Sequence, residues 1–209
     1  VRNSHRYKKM IFIWSCLTYD MRYYHPKMKE EYFDDHVPID EGWFSKYIIS
    51  KYIQEVDNII ELRLFGIFGK YEDYAIRFIS NAICKTLFDL PITIKQNRRF
   101  DYIYIDDLMP VIDHFLENKG GYSSYNVTPD ESIELRTVAE IVLRISGKNL
   151  PIIISQDGLG TEYSGDNTRL RNELSKLSFI NLDKAISYLF TWYSDNRNSI
   201  STEVLLYDK

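Results

Sequence analysis

A strand, a long loop, a helix and a second strand follow one another near the start of this chain, and that run limits most of what it can become. Met10-Ile-Phe-Ile-Trp-Ser15 is a short apolar run ending on a small polar residue, the pattern of a buried strand. The stretch from Asp20 to Asp40 is polar and contains Pro26 and Pro38, so it reads as a loop. Loops of that length in compact domains usually serve function. Phe44 to Glu55 reads as a helix with Tyr47, Ile48, Tyr52 and Ile53 on one face, and Ile59 to Gly66 reads as a second strand. A βαβ unit of this kind has parallel strands and a right-handed crossover. The strands ending at Ser15 and Gly66 are therefore expected side by side.

The alternation continues. Glu72 to Leu90 predicts an amphipathic helix through Ile76, Ile79, Ile83 and Leu87, and strands are expected over 91–95 and 102–105. Asp106-Asp107 is expected to cap a helix with Pro110 in its first turn. A short strand at Tyr125–Val127 follows, then a helix opened by a Thr137/Glu140 capping box and closed by Gly147. A strand over 151–155 and helices over 166–177 and 181–193 complete a mixed α/β chain, with its chemistry at the strand ends of the first unit. A net charge of −4 argues against a nucleic-acid surface. No apolar run approaches the roughly 20 residues of a membrane helix. Cys16 and Cys84 both sit in apolar runs, which suggests reduced core thiols and a cytoplasmic protein. The four histidines show no zinc spacing, so no metal is expected.

Short motifs are strung along these elements. Ser15 ends its strand and Tyr19 follows four residues later. Then come a Tyr-x-x-x-Lys helix, Leu62-Arg63-Leu-Phe-Gly-Ile-Phe-Gly69, and Phe100-Asp-Tyr-Ile-Tyr-Ile-Asp-Asp-Leu108. Tyr125-Asn126-Val127 and Asp166-Asn-Thr-Arg-Leu-Arg-Asn-Glu-Leu174 follow, with Trp192 in the closing helix. In this order the chain resembles an extended short-chain dehydrogenase/reductase of the NAD-dependent, sugar-nucleotide epimerase/dehydratase kind. The resemblance implies an α/β fold in which a partial Rossmann-type parallel sheet is joined to a smaller C-terminal α/β substrate domain. Residues 1–70 would be the remnant of the NAD(P)-binding domain. Residues 71–209 would be mainly the substrate-binding domain, with some segments returning to the sheet. It also implies NAD or NADP as cofactor, a nucleotide-activated sugar as substrate and homo-oligomeric assembly.

In the chemistry so implied, a tyrosine acts as general base toward a sugar hydroxyl. A phenol with an ordinary pKa of about 10 is a poor base at neutral pH. A neighbouring lysine ammonium stabilises the phenolate, and a serine hydroxyl orients the substrate oxygen. Tyrosine and lysine four apart lie one turn apart on one helix face. Ser15 is the candidate serine, with strand-end capping as the plain alternative. Two registers are open for the pair. Tyr47-Ile-Ile-Ser-Lys51 matches literally, with Glu55 four beyond, and Tyr47 and Lys51 would then also touch the cofactor. Gly42-Trp-Phe-Ser-Lys46 places Lys46 earlier in the helix, as the position of such sites at strand ends favours, and would leave no tyrosine at the base position. Tyr19, Gly66, Arg99 and Asn126 are the candidate substrate contacts. The alternatives are loop packing for Tyr19, an exposed charge for Arg99 and a satisfied strand-end amide for Asn126.

One departure stands out: no Gly-x-Gly-x-x-Gly lies between a strand and a helix. The chain opens on Val1-Arg-Asn and is expected to lack the family's N-terminal cofactor-binding segment. Alone it is then expected not to hold NAD or NADP tightly, since a pyrophosphate sits on such a turn and the helix after it. The rival reading is a truncated or degenerate non-catalytic relative serving as a binding or oligomerisation module.

Overall fold

The computed structural model describes residues 4–206; the opening Val1-Arg-Asn and the last three residues lie outside them. The first βαβ unit forms as expected. β1 (Met10–Ser15) and β2 (Ile59–Leu64) pair in parallel from Met10 opposite Ile59 to Ser15 opposite Leu64. Between them α1 (Glu41–Gln54) begins at Asp40, whose carboxylate accepts from Trp43 N (3.1 Å). The third strand of this sheet comes from far along the chain: β7 (Ser124–Val127) pairs in parallel with β2, giving the order β1-β2-β7.

The buried face of α1 is Tyr47, Ser50 and Ile53, whereas Ile48 and Tyr52 are 48% and 40% exposed. The apolar stripe read from the sequence is thus displaced. Ser50 is buried because its hydroxyl donates to Glu61 of β2, a polar partner that a hydrophobic pattern cannot score.

Short parallel β3 (Ile67–Phe68) and β6 (Ile103–Tyr104) lead toward α3 (Ile105–Glu117), which covers the sheet with Leu108, Val111 and Phe115. Here the expected caps move. Asp106 and Asp107 lie inside the first turn rather than before it, and Pro110 falls in the second turn. Asp107 instead accepts from Ile180 N (3.1 Å), tying a distant loop to the helix.

A second core gathers α2 (Phe78–Leu87), α4 (Leu135–Ser146) and α6 (Leu182–Asp195) around Ile79, Ile83, Val138, Val142, Ile186 and Leu189. Packed there too is β4 (Ile92–Asn97), which pairs in parallel with β9 (Ile152–Leu159). β5 (Arg99–Phe100) and β8 (Ile133–Glu134) form a short antiparallel ladder, and α5 (Thr168–Glu173) packs on β7. α4 starts two residues before Thr137, so that residue is inside the helix and not its cap. The side-chain oxygen of Asn97 accepts from Arg136 N (3.1 Å), so a donor of the first turn is met from another element. Gly147 closes α4 in the left-handed conformation (φ +67°), as its position predicted. Cys16 and Cys84 are buried and unbridged.

Among the described residues no helix is long and apolar enough to cross a membrane. Among the described residues β1 lies at the edge of its sheet, with Ile13 45% exposed. An open strand edge with apolar side chains is a template for pairing. Light scattering at high concentration should therefore give a mass above the 24.8 kDa of one chain; a clean monomer would count against edge pairing.

Candidate active site

Because the three sheet strands run the same way, their carboxyl ends lie in a row: Ser15 is opposite Leu64, and Leu64 is opposite Val127. Ser15 Oγ accepts from Leu17 N (3.2 Å) and so caps the short 3-10 turn Cys16–Thr18. Its side chain is half-buried at the strand end, where the βαβ reading placed it.

Past this turn lies a chain of buried polar groups. Glu61 and Arg63, two apart on β2 and so on one face, are both fully buried and joined through Arg63 Nε and Glu61 Oε2 (3.0 Å). Arg63 Nη1 donates to the Tyr19 hydroxyl (2.9 Å), which donates in turn to Asn126 Oδ1 (2.9 Å). Asn126 Nδ2 donates to the Met28 and Asp166 carbonyls, and its backbone N–H donates to Glu30 Oε1 (2.7 Å). Burial pushes the carboxyl of Glu30 up, partly offset by that N–H. Burial likewise raises the Tyr19 phenol, more than the Arg63 guanidinium lowers it. Every polar atom of the Asn126 side chain is thus used internally, and the Tyr19 hydroxyl is consumed. Tyr19 also walls, with Tyr23, Met28, Tyr32, Asp35 and His36, a cavity of about 280 Å3. Ser15, Tyr47 and Lys51 do not line that cavity.

α1 turns Tyr47 toward Cys16, Tyr19, Phe33 and Phe65 in the small core under the loop. Lys51, one turn on, meets the same carboxylate as Tyr47: Asp34 Oδ1 accepts the Tyr47 hydroxyl, and Asp34 Oδ2 lies 2.5 Å from Lys51 Nζ. The hydrogen bond to Asp34, with burial, pushes Tyr47 up to about 12. Lys51 and then Tyr47 hold Asp34 below the usual carboxylate range. Lys46 points elsewhere, with Nζ 4.2 Å from the centre of the Trp14 ring. The fold therefore brings Tyr47 and Lys51 together and leaves Lys46 out.

Gly66 and Arg99 are placed by other demands. A Cβ on Gly66 would stand 2.1 Å from the Asp101 carbonyl oxygen, so only glycine fits this approach. Arg99 Nε donates to Ser132 Oγ (2.9 Å), and its guanidinium lies within 4.0 Å of Glu134 and 3.8 Å of Glu162. Beside Gly66, Asp101 is fully buried, its Oδ2 accepting from Gly165 N (2.8 Å) and the Thr128 hydroxyl while Oδ1 has no hydrogen-bond partner. Burial pushes its carboxyl up to about 6 against the pull of those donors.

Glu30, Asp34, Glu61 and Asp101 were not among the residues singled out from the sequence. Glu61-Leu-Arg63 did hold a signal, two opposite charges at strand spacing inside an apolar run. Asp34 held none, because it sits in an aperiodic loop. Among the described residues, no group of three or more His, Cys, Asp or Glu could hold a metal ion.

Comparison with known proteins extends this picture. The fold is similar to that of a UDP-glucuronic acid 4-epimerase from Bacillus cereus solved with UDP-glucuronic acid and NAD, at TM-score 0.72 and 19% identity over 90% of this chain and 62% of that one. It is also similar to a UDP-N-acetylglucosamine 4-epimerase from Methanobrevibacter ruminantium, at TM-score 0.75 and 19% identity over 91% and 64%. A dTDP-glucose 4,6-dehydratase from Bacillus anthracis in complex with NAD gives TM-score 0.74 and 17% identity over 94% and 66%. The chain thus spans about two thirds of each, and the likeness is one of fold. No curated protein matches it by sequence. Residues 3–128, more than half of the chain, match the NAD dependent epimerase/dehydratase family, and the chain belongs to that family.

Proposed function

We propose that this chain supplies the substrate-facing part of a cytoplasmic, homo-oligomeric NAD(P)-dependent epimerase or dehydratase acting on a nucleotide-activated sugar. The observation that carries this reading is the convergence of Tyr47 and Lys51 on one point, on a helix packed against the turn after Ser15. In this reading residues 1–70 belong to the dinucleotide-binding part and 71–209 mainly to the substrate part, with β7 returning to the sheet.

NAD(P) fits the described residues at one end only. Tyr47 and Lys51 suit the hydroxyl-rich nicotinamide ribose. The connection from β1 to α1 contains no glycine before Gly42, so it offers no glycine-rich turn for a pyrophosphate. A bound nicotinamide would supply hydride exchange. The residues of this chain do the rest. Ser15 orients a sugar hydroxyl, Tyr47 as phenolate takes its proton, and the Lys51 ammonium stabilises that phenolate. Tyr19 lines the cavity walled by Tyr23 and His36, while Asn126 holds the loop that shapes it.

Assay of the protein with a UDP-hexose and NAD, followed by NMR of the sugar, tests the reading. Lys51→Ala and Tyr47→Phe should each lower kcat about 100-fold or more, in the range expected for a lost acid–base group. Lys46→Ala should stay within a few-fold of the parent. The opposite ranking would restore the Lys46 register. One observation favours the non-catalytic alternative, the Asp34 carboxylate that keeps Tyr47 protonated. Absence of turnover in every form under conditions where NAD is shown to be bound would support it.

A further inference from the structure

Two facts about Asp34 do not suit a site ready to act. Its carboxylate bridges Tyr47 and Lys51, so the ammonium faces Asp34 rather than a phenolate. Its backbone stands at φ +82°, a left-handed conformation that few residues other than glycine adopt and that persists where surrounding structure holds it. What holds it is close by. The ring of Phe33, the preceding residue, lies 5.2 Å from that of Tyr47, and Asp35 N donates to the Tyr32 carbonyl. The loop is thus packed so as to deliver this carboxylate to α1.

We propose that Asp34 locks the Tyr47–Lys51 pair in a proton-retaining state, which a ligand presenting its own oxygens to both groups must displace. This rests on reading Tyr47 and Lys51 as the acid–base pair. While Asp34 accepts its hydrogen bond, the phenol keeps its proton. When the carboxylate swings out, that proton can pass to water, and the phenolate left behind has the Lys51 ammonium beside it. The other titratable groups in and against this small core are Cys16, Tyr19, Tyr24 and Tyr163, all raised chiefly by burial, so none of them is charged near neutral pH. The buried Arg63 guanidinium, 4.6 Å from the centre of the Phe33 ring, is paired with Glu61, so the charge that acts on the Tyr47 hydroxyl is Asp34, with Lys51 on its other oxygen. The lock lies in the loop and not in the helix, so it can open without disturbing the α1 packing that positions Tyr47.

The test is an NMR titration of the Tyr47 ring in the full chain, assigned by comparison with Tyr47→Phe, between pH 7 and 10.5. In the parent Tyr47 should remain protonated throughout. In Asp34→Ala it should ionise within this range with a midpoint near the ordinary tyrosine value of about 10, and in Asp34→Asn, which keeps an acceptor without charge, it should be ionised at pH 10.5 to an extent between the two. The amide spectrum of each variant confirms the fold. Tyr47 ionising in the parent below pH 10, or unchanged in both variants, would overturn the lock. Titration with NAD and with UDP separates this from the functional reading. The lock predicts at least three-fold tighter binding of one of them to Asp34→Ala. Failure of NAD to bind any form is what the absence of a glycine-rich turn between β1 and α1 predicts, and it leaves the ring titration to decide the lock; failure of UDP to bind any form would overturn the functional reading.

Discussion

Glu61→Ala is expected to lower the stability of the chain by about 3–5 kcal/mol, the usual result of removing one partner of a buried ion pair. Glu61 and Arg63 are fully enclosed, and the two Glu61 oxygens take the Ser50 hydroxyl and the Arg63 guanidinium. The truncation leaves that guanidinium with the neutral Tyr19 hydroxyl as its nearest acceptor (2.9 Å). It also unties α1 from β2 at Ser50. For a chain of this size the melting temperature should fall by roughly 10 °C. Glu61→Gln, which keeps an acceptor for Ser50 but loses the charge, should cost about half as much. The double variant Glu61→Leu/Arg63→Leu should recover much of the loss, because paired apolar replacements of a buried ion pair are often near neutral. Thermal melts of the three decide it. A loss below about 1 kcal/mol in Glu61→Ala would mean that water reaches Arg63.

The second large effect concerns pH. Burial raises the Asp101 carboxyl from its ordinary 3.8 to about 6 in the folded chain. Between about pH 4 and 6 the unfolded chain ionises this group while the folded chain keeps it protonated. The folded state then binds more protons, so stability falls as pH rises through that window and levels off above it. A difference of about two pH units corresponds to roughly 3 kcal/mol. Asp101→Asn keeps an oxygen for the Gly165 N–H and the Thr128 hydroxyl but cannot ionise. Its stability should lack this slope between pH 4 and 6 and exceed the parent above pH 6, less whatever an unpaired amide N–H at the Oδ1 position costs. Urea unfolding at pH 4, 5, 6 and 7 measures it. Parallel curves for parent and variant would show that another group carries the dependence.

These two effects also bear on the proposed chemistry. The Glu61–Arg63 pair fixes the Tyr19 hydroxyl and, through it, Asn126 and the loop that carries Glu30. Asp101 joins the end of β7 to the turn at Gly165, next to the approach that requires Gly66. Damage at either should reach the strand-end site through its walls, raising substrate KM before it changes the acid–base pair.

Hydrophobic periodicity is a local property, and what depends on it could be read directly from the chain. The parallel pairing of β1 with β2, the helices through Tyr47, Ile83 and Val142, and the glycine end of α4 all follow from the spacing of neighbouring residues. So do the place of Ser15 at a strand end and the turn that separates Tyr47 from Lys51, since four residues make one helical turn. Other features needed residues far apart in sequence to meet. The true face of α1 was decided by Glu61 accepting from Ser50, and the start of α4 by Asn97 accepting from Arg136. That Lys46 lies over the Trp14 ring while Lys51 meets Asp34 beside Tyr47 depends on where Trp14 and Asp34 lie. The role of Asn126 as a tie between Met28, Glu30, Tyr19 and Asp166 exists only once β7 has joined β2. Buried polar groups must be paired, but which partner pairs them is set by tertiary packing. For that reason the elements and the Tyr47–Lys51 spacing belong to the sequence of this protein, while the contacts around that pair belong to its fold.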